Sequence, residues 1–563
     1  MDRDACEVPE LQDLAAPWHA DTVLQLRTGR MKAMRGLAIK TGIDKEEKEG
    51  RLWCGKMGLE GDEHDLTFHG GVDKAVHQYY PSHYPLWRSE YPTAGSLDAF
   101  VPGGFGENIV AAHMNERNVC IGDIIRVGEA LLQVSLPRQP CFKLNHRFGI
   151  KGFASQTWKK SRTGWYYRVL EEGWIAVGDS IRLVERQWER WTVERVQEYL
   201  HRNTGDLEKL EELEKIPEFG SECKKAIRRL IAALKAAEAS KTAPKETFEH
   251  FTLVSKKAET PRISSFTFAK SGTEPEGEAS AISPGSFVRL RLPNGLLRSY
   301  SVVSGTSSRF TLGVALDDQS RGGSRFMHET LKEGEKVLVG KVSKSVPRPD
   351  GASNHVFIGG GIGITAFLGL IDMYRRINYS YTLHYAVRCE EDIPFKVEMG
   401  RMGGNVVVYD GSKGARMDIK GILKARTWNS MVYVCGPRRM IEDAQRCARE
   451  LGMGEREGEA EDAEIHYEAF QADYTGDPFS VEVGGQESRV LDVPGEKTLL
   501  QVLREEGLEI DSSCEVGRCG ACKVLVRDGV VQHRGSALSV EEKREGAMLS
   551  CCSRGVGVLR IEW

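Results

Sequence analysis

The sequence predicts a multidomain chain of mixed α/β and β class, and three observations predict it. At 563 residues the chain is too long for one core, and roughly 150 residues per domain gives about four domains. Two stretches, 20–185 and 248–344, break into short strand-like runs separated by glycine, as β-barrels do. Between residues 355 and 435 the pattern changes to strand, glycine loop, helix and strand, the rhythm of a doubly wound α/β domain.

The elements follow in order. Asn108–Val110, Ile124–Val127 and Leu131–Leu136 read as strands of the first β-rich block. From Thr192 to Ala236 the spacing of Val193, Val196, Leu200, Leu207, Leu210, Leu213, Ile227, Leu230 and Leu234 suits a small helical bundle. Ala236–Glu246 reads as a linker. In the second β-rich block, Phe287–Leu292 alternates apolar and basic residues. The α/β block then runs through His355–Tyr374, Tyr381–Arg388 and Met431–Cys435, with Gly452–Asp462 as an acidic, solvated loop. The last block opens on alternating Phe479, Val481 and Val483 and continues with a helix over Thr498–Glu506. No internal repeat is visible. These readings place boundaries at 1–190, 191–240, 247–345, 350–467 and 478–563, with a mobile connection over Glu468–Pro478.

With 77 basic and 81 acidic residues, net charge −4, the chain has no electrostatic footprint for nucleic acid or an anionic membrane. The longest uncharged stretch, Val356–Ile371, is glycine-rich and short for a bilayer span. The opening Met1-Asp2-Arg3-Asp4 resembles neither a secretory signal nor a transit peptide, so a cytoplasmic protein is expected. Thirteen cysteines, four of them clustered, fit reduced thiols in a reducing compartment.

Four cysteines carry the clearest chemistry. Cys514, Cys519 and Cys522, followed by Cys551 or Cys552, have the C-x4-C-x2-C spacing with a distant fourth thiolate that holds a [2Fe–2S] cluster. Zinc sites usually pair two C-x2-C elements, and only one precedes the double cysteine. The small residues and glycines of 511–522 let backbone N–H groups approach the sulfides. This block resembles plant-type ferredoxins, which implies a β-grasp fold. In that family pattern Cys551, ahead of Cys552-Ser553-Arg554, is the fourth ligand, with Cys552 the alternative.

The glycine loop Gly359-Gly360-Gly361-Ile362-Gly363-Ile364-Thr365 lies between a strand and a helix, where free N–H groups and the helix dipole favour a pyrophosphate. With Arg298-Ser299-Tyr300-Ser301, Gly322-Gly323-Ser324 and Tyr433-Val434-Cys435-Gly436-Pro437 it resembles the ferredoxin reductases. The resemblance implies that Arg298, Tyr300 and Ser301 hold a flavin and that Gly323 and Ser324 meet its phosphate. It further implies that Gly359, Gly361, Gly363 and Thr365 take the nucleotide, and that Cys435, Gly436 and Pro437 flank the nicotinamide. Ala366 departs from the proline this family often has. The domain order over 248–563 resembles the phthalate dioxygenase reductase type, which uses FMN. FMN is also favoured because the reductase module does not end in a closing aromatic residue. Arg388 could meet a 2′-phosphate, but Glu390, Glu391 and Asp392 beside it favour NADH over NADPH.

In the first third, Pro137-Arg138-Gln139-Pro140-Cys141 sets a cysteine in rigid backbone beside the bases Arg138 and Lys143, surroundings that favour the metal-binding thiolate. Together with His69-Gly70-Gly71-Val72-Asp73-Lys74-Ala75-Val76, Phe105-Gly106-Glu107-Asn108 and Gly122-Asp123, it resembles the molybdenum cofactor sulfurase C-terminal (MOSC) domain. The helical tail is similar to the three-helix appendage of bacterial stand-alone members. The resemblance implies that Cys141 binds the molybdenum of a molybdopterin cofactor. His69, Lys74, Asn108 and Arg138 would then contact the pterin phosphate. Cys54 and Cys120 lack such a setting.

A hydride carries two electrons and a [2Fe–2S] cluster accepts one, so a flavin must stand between them. The resemblances together imply a self-sufficient chain from NADH through FMN and the cluster to molybdenum at Cys141. Its expected substrates are N-hydroxylated small molecules such as hydroxylamines and amidoximes. The alternatives are the reductase component of a two-component oxygenase, passing electrons to a protein acceptor, and a module that carries molybdenum cofactor.

Overall fold

The computed structural model describes residues 14–66, 70–95, 97–240, 247–271, 280–317, 322–346, 351–454, 464–470, 474–484, 489–512, 515–517, 520–535 and 537–562. The chain divides into two compact units, Met1–Pro244 with Asp350–Ser353, and Lys245–Pro349 with Asn354–Trp563.

The first unit is built on a closed barrel of β1 (Ala20–Thr28), β3 (Val76–Gln78), β4 (Ile109–Ala111), β5 (Ile124–Val127), β6 (Ala130–Pro137), β7 (Trp165–Glu171) and β8 (Ser180–Glu185). Its order is β8-β5-β6-β7-β3-β4-β1, closed by antiparallel pairing of β1 with β8 (Ala20↔Arg182, Thr22↔Ser180), and β2 (Glu46–Lys48) extends it beside β1. Alternation along the strands fills the barrel with Val23, Ile125, Val127, Leu132, Val134, Tyr167 and Ile181, all buried. The fourth strand begins one residue later than expected because Asn108 uses its side chain in the loop, accepting from the His77 N–H at 3.0 Å.

The connection between β6 and β7 carries α2 (Phe142–Phe148) and α3 (Phe153–Lys159), and α1 (His83–Glu90) follows β3. Beyond β8 the helical period resolves into α4 (Val193–Gln197), a π-helical turn (Glu198–Arg202), α5 (Leu207–Glu214) and α6 (Ser221–Ser240). Thr192 caps α4 by accepting from the Arg195 N–H, and Asp206 caps α5 by accepting from the Lys209 N–H. The linker expected from Ala236 begins later: its alanines, lysine and glutamate are helix formers, and α6 runs through to Ser240. Residues 241–246 lie outside the described residues.

The second unit opens with another closed barrel: β9 (Glu249–Ala258), β10 (Ile263–Lys270), β11 (Ser286–Arg291), β12 (Leu297–Gly305), β13 (Arg309–Ala315), β14 (Lys336–Val339) and the edge strand β15 (Ser343–Lys344). The order β12-β13-β10-β9-β14-β11-β15 closes through β11–β12, with Val288 opposite Tyr300. A parallel sheet follows, β18-β17-β16-β19-β20, of β16 (Asn354–Gly360), β17 (Ser380–Val387), β18 (Val406–Asp410), β19 (Ser430–Cys435) and β20 (Ile465–Glu468). The stretch after β16 is a 3-10 turn, Gly361–Ala366, leading into α8 (Leu368–Arg376); α7 (Gly323–Arg325) belongs to the preceding barrel. Most of the acidic loop expected over Gly452–Asp462 lies outside the described residues.

The final sheet, β22-β21-β25-β23-β24, comprises β21 (Phe479–Gly484), β22 (Arg489–Val493), β23 (Lys523–Gln532), β24 (Ala547–Leu549) and β25 (Arg554–Glu562). Helix α9 (Leu499–Glu505) packs on it and starts at a capping box in which Thr498 and Gln501 exchange side-chain and backbone bonds. Arg554 is buried and donates to the carbonyls of Asp477 (2.7 Å), Lys497 (2.7 Å) and Pro494 (3.1 Å), while Arg534 donates to that of Thr475. At the other end Glu468 accepts from Ser345 at 2.6 Å. The connection expected to move over Glu468–Pro478 is therefore tied at both ends. Among the described residues no helix is long and apolar enough to cross a membrane.

His355, fully buried on β16, stacks on Tyr374 at 4.0 Å, and burial pushes its imidazole from 6.5 down to about 3. Because the folded value lies below the unfolded one, this histidine costs nothing above pH 6.5 and destabilises the fold progressively as pH falls toward 3. Between pH 7.5 and 5 its share is about 2 kcal/mol. Chemical denaturation at both pH values should show a pH-dependent loss about that much smaller in His355→Phe; equal losses in both proteins would contradict the assignment.

Candidate functional site

The first unit holds a cleft of about 500 Å³ lined by Lys45, His64, Asn108, Arg138, Cys141 and Lys143 among others. Cys141 is half-buried at the N-terminus of α2, at the end of the proline-framed loop that leaves β6. Behind the lining residues Lys45, His64 and Asn108, and in contact with them, is Asp62, whose side chain is 0% exposed. Asp62 accepts from the Gly29 N–H (2.8 Å) and Asn108 Nδ2 (2.8 Å) and pairs with Lys45 Nζ. His64 Nε2 stands 3.3 Å from the same carboxylate. Burial lowers the pKa of Lys45 against the pull of Asp62, and burial together with the Lys45 charge lowers that of His64. A second buried pair joins Lys143 Nζ to Asp65 at 3.1 Å.

Arg138 differs from these neighbours. It is 3% exposed and lies 5.6 Å over the Phe105 ring, yet its Nε and Nη1 are buried without a hydrogen-bond partner among the described residues. A buried cation with unmade bonds is costly, and an anion in the cleft would satisfy it. The residues therefore fit an anionic cofactor: a half-buried thiol for a metal, and an unsatisfied guanidinium for a phosphate.

Several motif residues serve the scaffold instead. Lys74 is not among the lining residues and pairs with Glu222 on α6, while Asp73 accepts from the Ser221 N–H at 2.9 Å and from Arg168. Glu107 is fully buried, accepting from Gly103 N–H (2.6 Å) and the Tyr84 hydroxyl (2.7 Å), and Asp123 pairs with Arg186. Asn108 lines the cleft, but its amide is committed to Asp62, the Arg27 carbonyl and the His77 N–H. His69 lies outside the described residues. Sequence reasoning missed Lys45, Asp62 and His64; the only sequence signal was their charge beside the glycine-rich segment.

In the second unit Arg298, Tyr300 and Ser301 lie along β12. Burial pushes the Tyr300 phenol up to about 12, with Arg298 opposing. Gly323 opens α7, and a Cβ there would come within 2.9 Å of Arg298 Nε, so the missing side chain lets the guanidinium lie against the turn. Ser324 follows, its hydroxyl accepting from the Asp317 N–H at 3.3 Å. Gly359, next to last on β16, is in register with Cys435 of β19, and Gly361 and Gly363 belong to the 3-10 turn. A Cβ on Gly363 would meet the Cys435 carbonyl at 2.3 Å, so this turn presses directly on Cys435-Gly436-Pro437. Thr365 is buried, donating to the Ile362 carbonyl. Glu390, Asp410 and Lys413 line a pocket at the ends of the parallel strands, where Lys413 pairs with Glu390 at 3.0 Å and Asp410 at 3.5 Å. Phe470 stands two residues beyond β20, 40% exposed.

Cys514 and Cys519 lie outside the described residues. Cys522 and Cys551 are buried, and Cys551 bonds to both Cys522 and Cys552, with the Gly517 amide also on it. Cys552 is buried too, but its thiol donates to the Arg534 carbonyl at 3.2 Å.

A MOSC domain model matches residues 65–182, and a 2Fe-2S iron-sulfur cluster binding domain model matches residues 481–555. A reductase of Gibberella moniliformis is 37% identical over 560 residues, covering 96% of this chain and 95% of its own. The heme-dependent oxidative N-demethylase beta subunit of Ectopseudomonas mendocina is 33% identical over 301 residues, covering 53% of this chain and 93% of its own. The solved structure of phthalate dioxygenase reductase aligns at 25% identity with TM-score 0.43, covering 56% of this chain and 98% of its own. The chain belongs to the family of the Gibberella moniliformis reductase, and it carries a MOSC domain and a 2Fe-2S iron-sulfur cluster binding domain. It is an oxidoreductase with a 2Fe-2S iron-sulfur cluster binding domain.

Two substitutions separate scaffold from site. Asn108→Ala strands Asp62 and the His77 N–H and should cost about 3 kcal/mol. Arg138→Met removes unsatisfied donors and should leave stability within about 1 kcal/mol, yet abolish the rise in melting temperature that inorganic phosphate gives the wild type. Thermal unfolding with and without phosphate checks both; a phosphate shift surviving in Arg138→Met would contradict the anion-binding role.

Proposed function

We propose that this chain is a self-sufficient NADH-dependent reductase of N-hydroxylated compounds, with its substrate site in the cleft at Cys141. The observation that carries the reading is the pairing, in one cleft, of the half-buried Cys141 with the buried, unsatisfied guanidinium of Arg138. Cys141 would hold the molybdenum of a molybdopterin cofactor and Arg138 its phosphate. The bound groups supply hydride donation by NADH, division of the pair at FMN, one-electron carriage on the cluster and two-electron reduction at molybdenum.

The overall reaction balances as an N-hydroxyl compound, NADH and one proton giving the amine or amidine, NAD⁺ and water: the N–O bond breaks and the oxygen leaves as water. Arg298, Tyr300, Ser301, Gly323 and Ser324 would bind the flavin. FMN rests on the resemblance to the phthalate dioxygenase reductase type. NADH is favoured over NADPH because the charge of Lys413 is already shared between Glu390 and Asp410, leaving an acidic pocket for a ribose. Cys514, Cys519, Cys522 and Cys551 would hold the cluster, Cys551 being the fourth ligand in the family pattern and Cys552 the alternative. The domain limits are those of the sequence reading, and a reduced cytoplasmic setting suits the thiols.

A second reading draws on the relatives' names. The Ectopseudomonas mendocina protein is named a subunit of an oxidative N-demethylase, and the protein of Escherichia coli (strain K12), 30% identical over 308 residues, is named the reductase subunit of a carnitine monooxygenase. In that reading this chain delivers electrons to a separate protein acceptor.

Anaerobic NADH oxidation with and without an amidoxime distinguishes them. The wild type, made in a host that supplies molybdenum cofactor, should oxidise NADH in response to amidoxime. Cys141→Ala should lose that response and keep its NADH–cytochrome c activity. Full turnover in Cys141→Ala would remove molybdenum from the account. Cys551→Ser should lose most of the cluster's visible absorption on purification and Cys552→Ser should keep it; the reverse would move the fourth ligand to Cys552.

A further inference from the structure

We infer that the helical appendage braces the N-terminal cleft from behind: Gln197 and His201 are positioning residues that hold the Pro137–Cys141 loop, and with it the Cys141 thiol and the Arg138 guanidinium, in place. The sequence marks this appendage only as a bundle, and no part of the proposed reaction uses it. Its first turns nevertheless bond to the backbone and side chains of the cysteine loop.

Gln197, fully buried at the end of α4, donates from Nε2 to the Arg138 carbonyl at 3.3 Å and to the Thr163 hydroxyl at 3.1 Å. Arg138 N–H in turn donates to the Gly164 carbonyl at 3.0 Å. One side chain therefore joins the two ends of the long β6–β7 connection at the residue whose guanidinium lines the cleft.

One turn on, His201 Nε2 bonds to Gln139 Oε1 at 3.1 Å, with the ring stacked on Trp158 of α3 at 5.0 Å. Burial, with the charge of Arg202, pushes His201 down to about 4, so the ring is neutral at physiological pH and meets the Gln139 oxygen through an N–H. The turn that carries it is π-helical, closed by the Asn203 N–H on the Glu198 carbonyl at 2.7 Å, a geometry often retained at functional sites. Arg202 fixes the turn by donating to Ser161 Oγ at 2.6 Å and the Trp158 carbonyl at 2.8 Å. Arg138 and Gln139 are thus held from behind by consecutive turns, and Cys141 lies two residues beyond. Groups that orient a ligand residue are the second half of a metal site's design.

The inference takes its site from the proposed function, but its test reads the thiol itself and is independent of turnover. The test follows alkylation of Cys141 by iodoacetamide, peptide by peptide, in the full-length chain from a host that makes no molybdopterin. His201→Phe keeps the stack on Trp158 and removes the donor, and Gln139→Leu removes the acceptor. Each should raise the Cys141 rate at least about fivefold. The double variant should exceed neither single one, because both remove the same bond. His201→Gln, which restores an amide donor, should fall within about twofold of wild type. NADH–cytochrome c activity should stay unchanged throughout. Wild-type rates in His201→Phe and Gln139→Leu, or effects that multiply in the double variant, would overturn the inference. Should His201→Phe not fold, Gln139→Leu, which leaves the helix intact, decides alone: an unchanged rate overturns it.

Discussion

The cleft of the first unit depends on one buried carboxylate, Asp62. A charge with no exposed surface is stable only when its bonds are filled, and Asp62 fills them from three directions: the Gly29 amide after β1, Lys45, and Asn108 before β4. Those contacts fix the spacing of the segments that wall the cleft. Lys143 is neutralised in the same way by Asp65. With Asp62, Lys45 and Lys143 paired internally, the unfilled donors of Arg138 stand out as a demand that an incoming anion would meet. The polar inventory of the cleft is thus an argument about its ligand as well as about its stability.

The second unit works under a different constraint, the mismatch between a two-electron donor and a one-electron cluster. Its fold answers with close approach. Missing side chains at Gly323 and Gly363 let Arg298 lie against α7 and the 3-10 turn press against Cys435. The cluster-bearing sheet is anchored where the chain enters it, because Arg554, two residues beyond Cys552, bonds to the Asp477, Lys497 and Pro494 carbonyls.

Much of this organisation was legible in the sequence, because both barrels, the parallel sheet and the ferredoxin-like block write their periods locally. Ile124–Val127, the capping residue Thr498 and the glycine run after β16 fall where spacing places them. What sequence could not show were long-range commitments. Lys74 and Asn108 look like ligand contacts as motif letters, yet one pairs with Glu222 nearly 150 positions away and the other is held by Asp62. The same long-range pairing, invisible to a motif, brings Lys45 and His64 into the cleft. The end of α6 was misread for a simpler reason, since a run of alanine, lysine and glutamate suits a helix as well as a linker.

The central claim is that electrons entering the second unit leave through the cleft at Cys141. A single-turnover experiment tests it most directly: the full-length, cofactor-loaded chain is reduced anaerobically with one equivalent of NADH, mixed with an amidoxime, and followed by the visible absorption of the cluster. The account predicts reoxidation of the cluster in the wild type and none in Cys141→Ala. A wild-type cluster that stays reduced until a separate acceptor protein is added would contradict it.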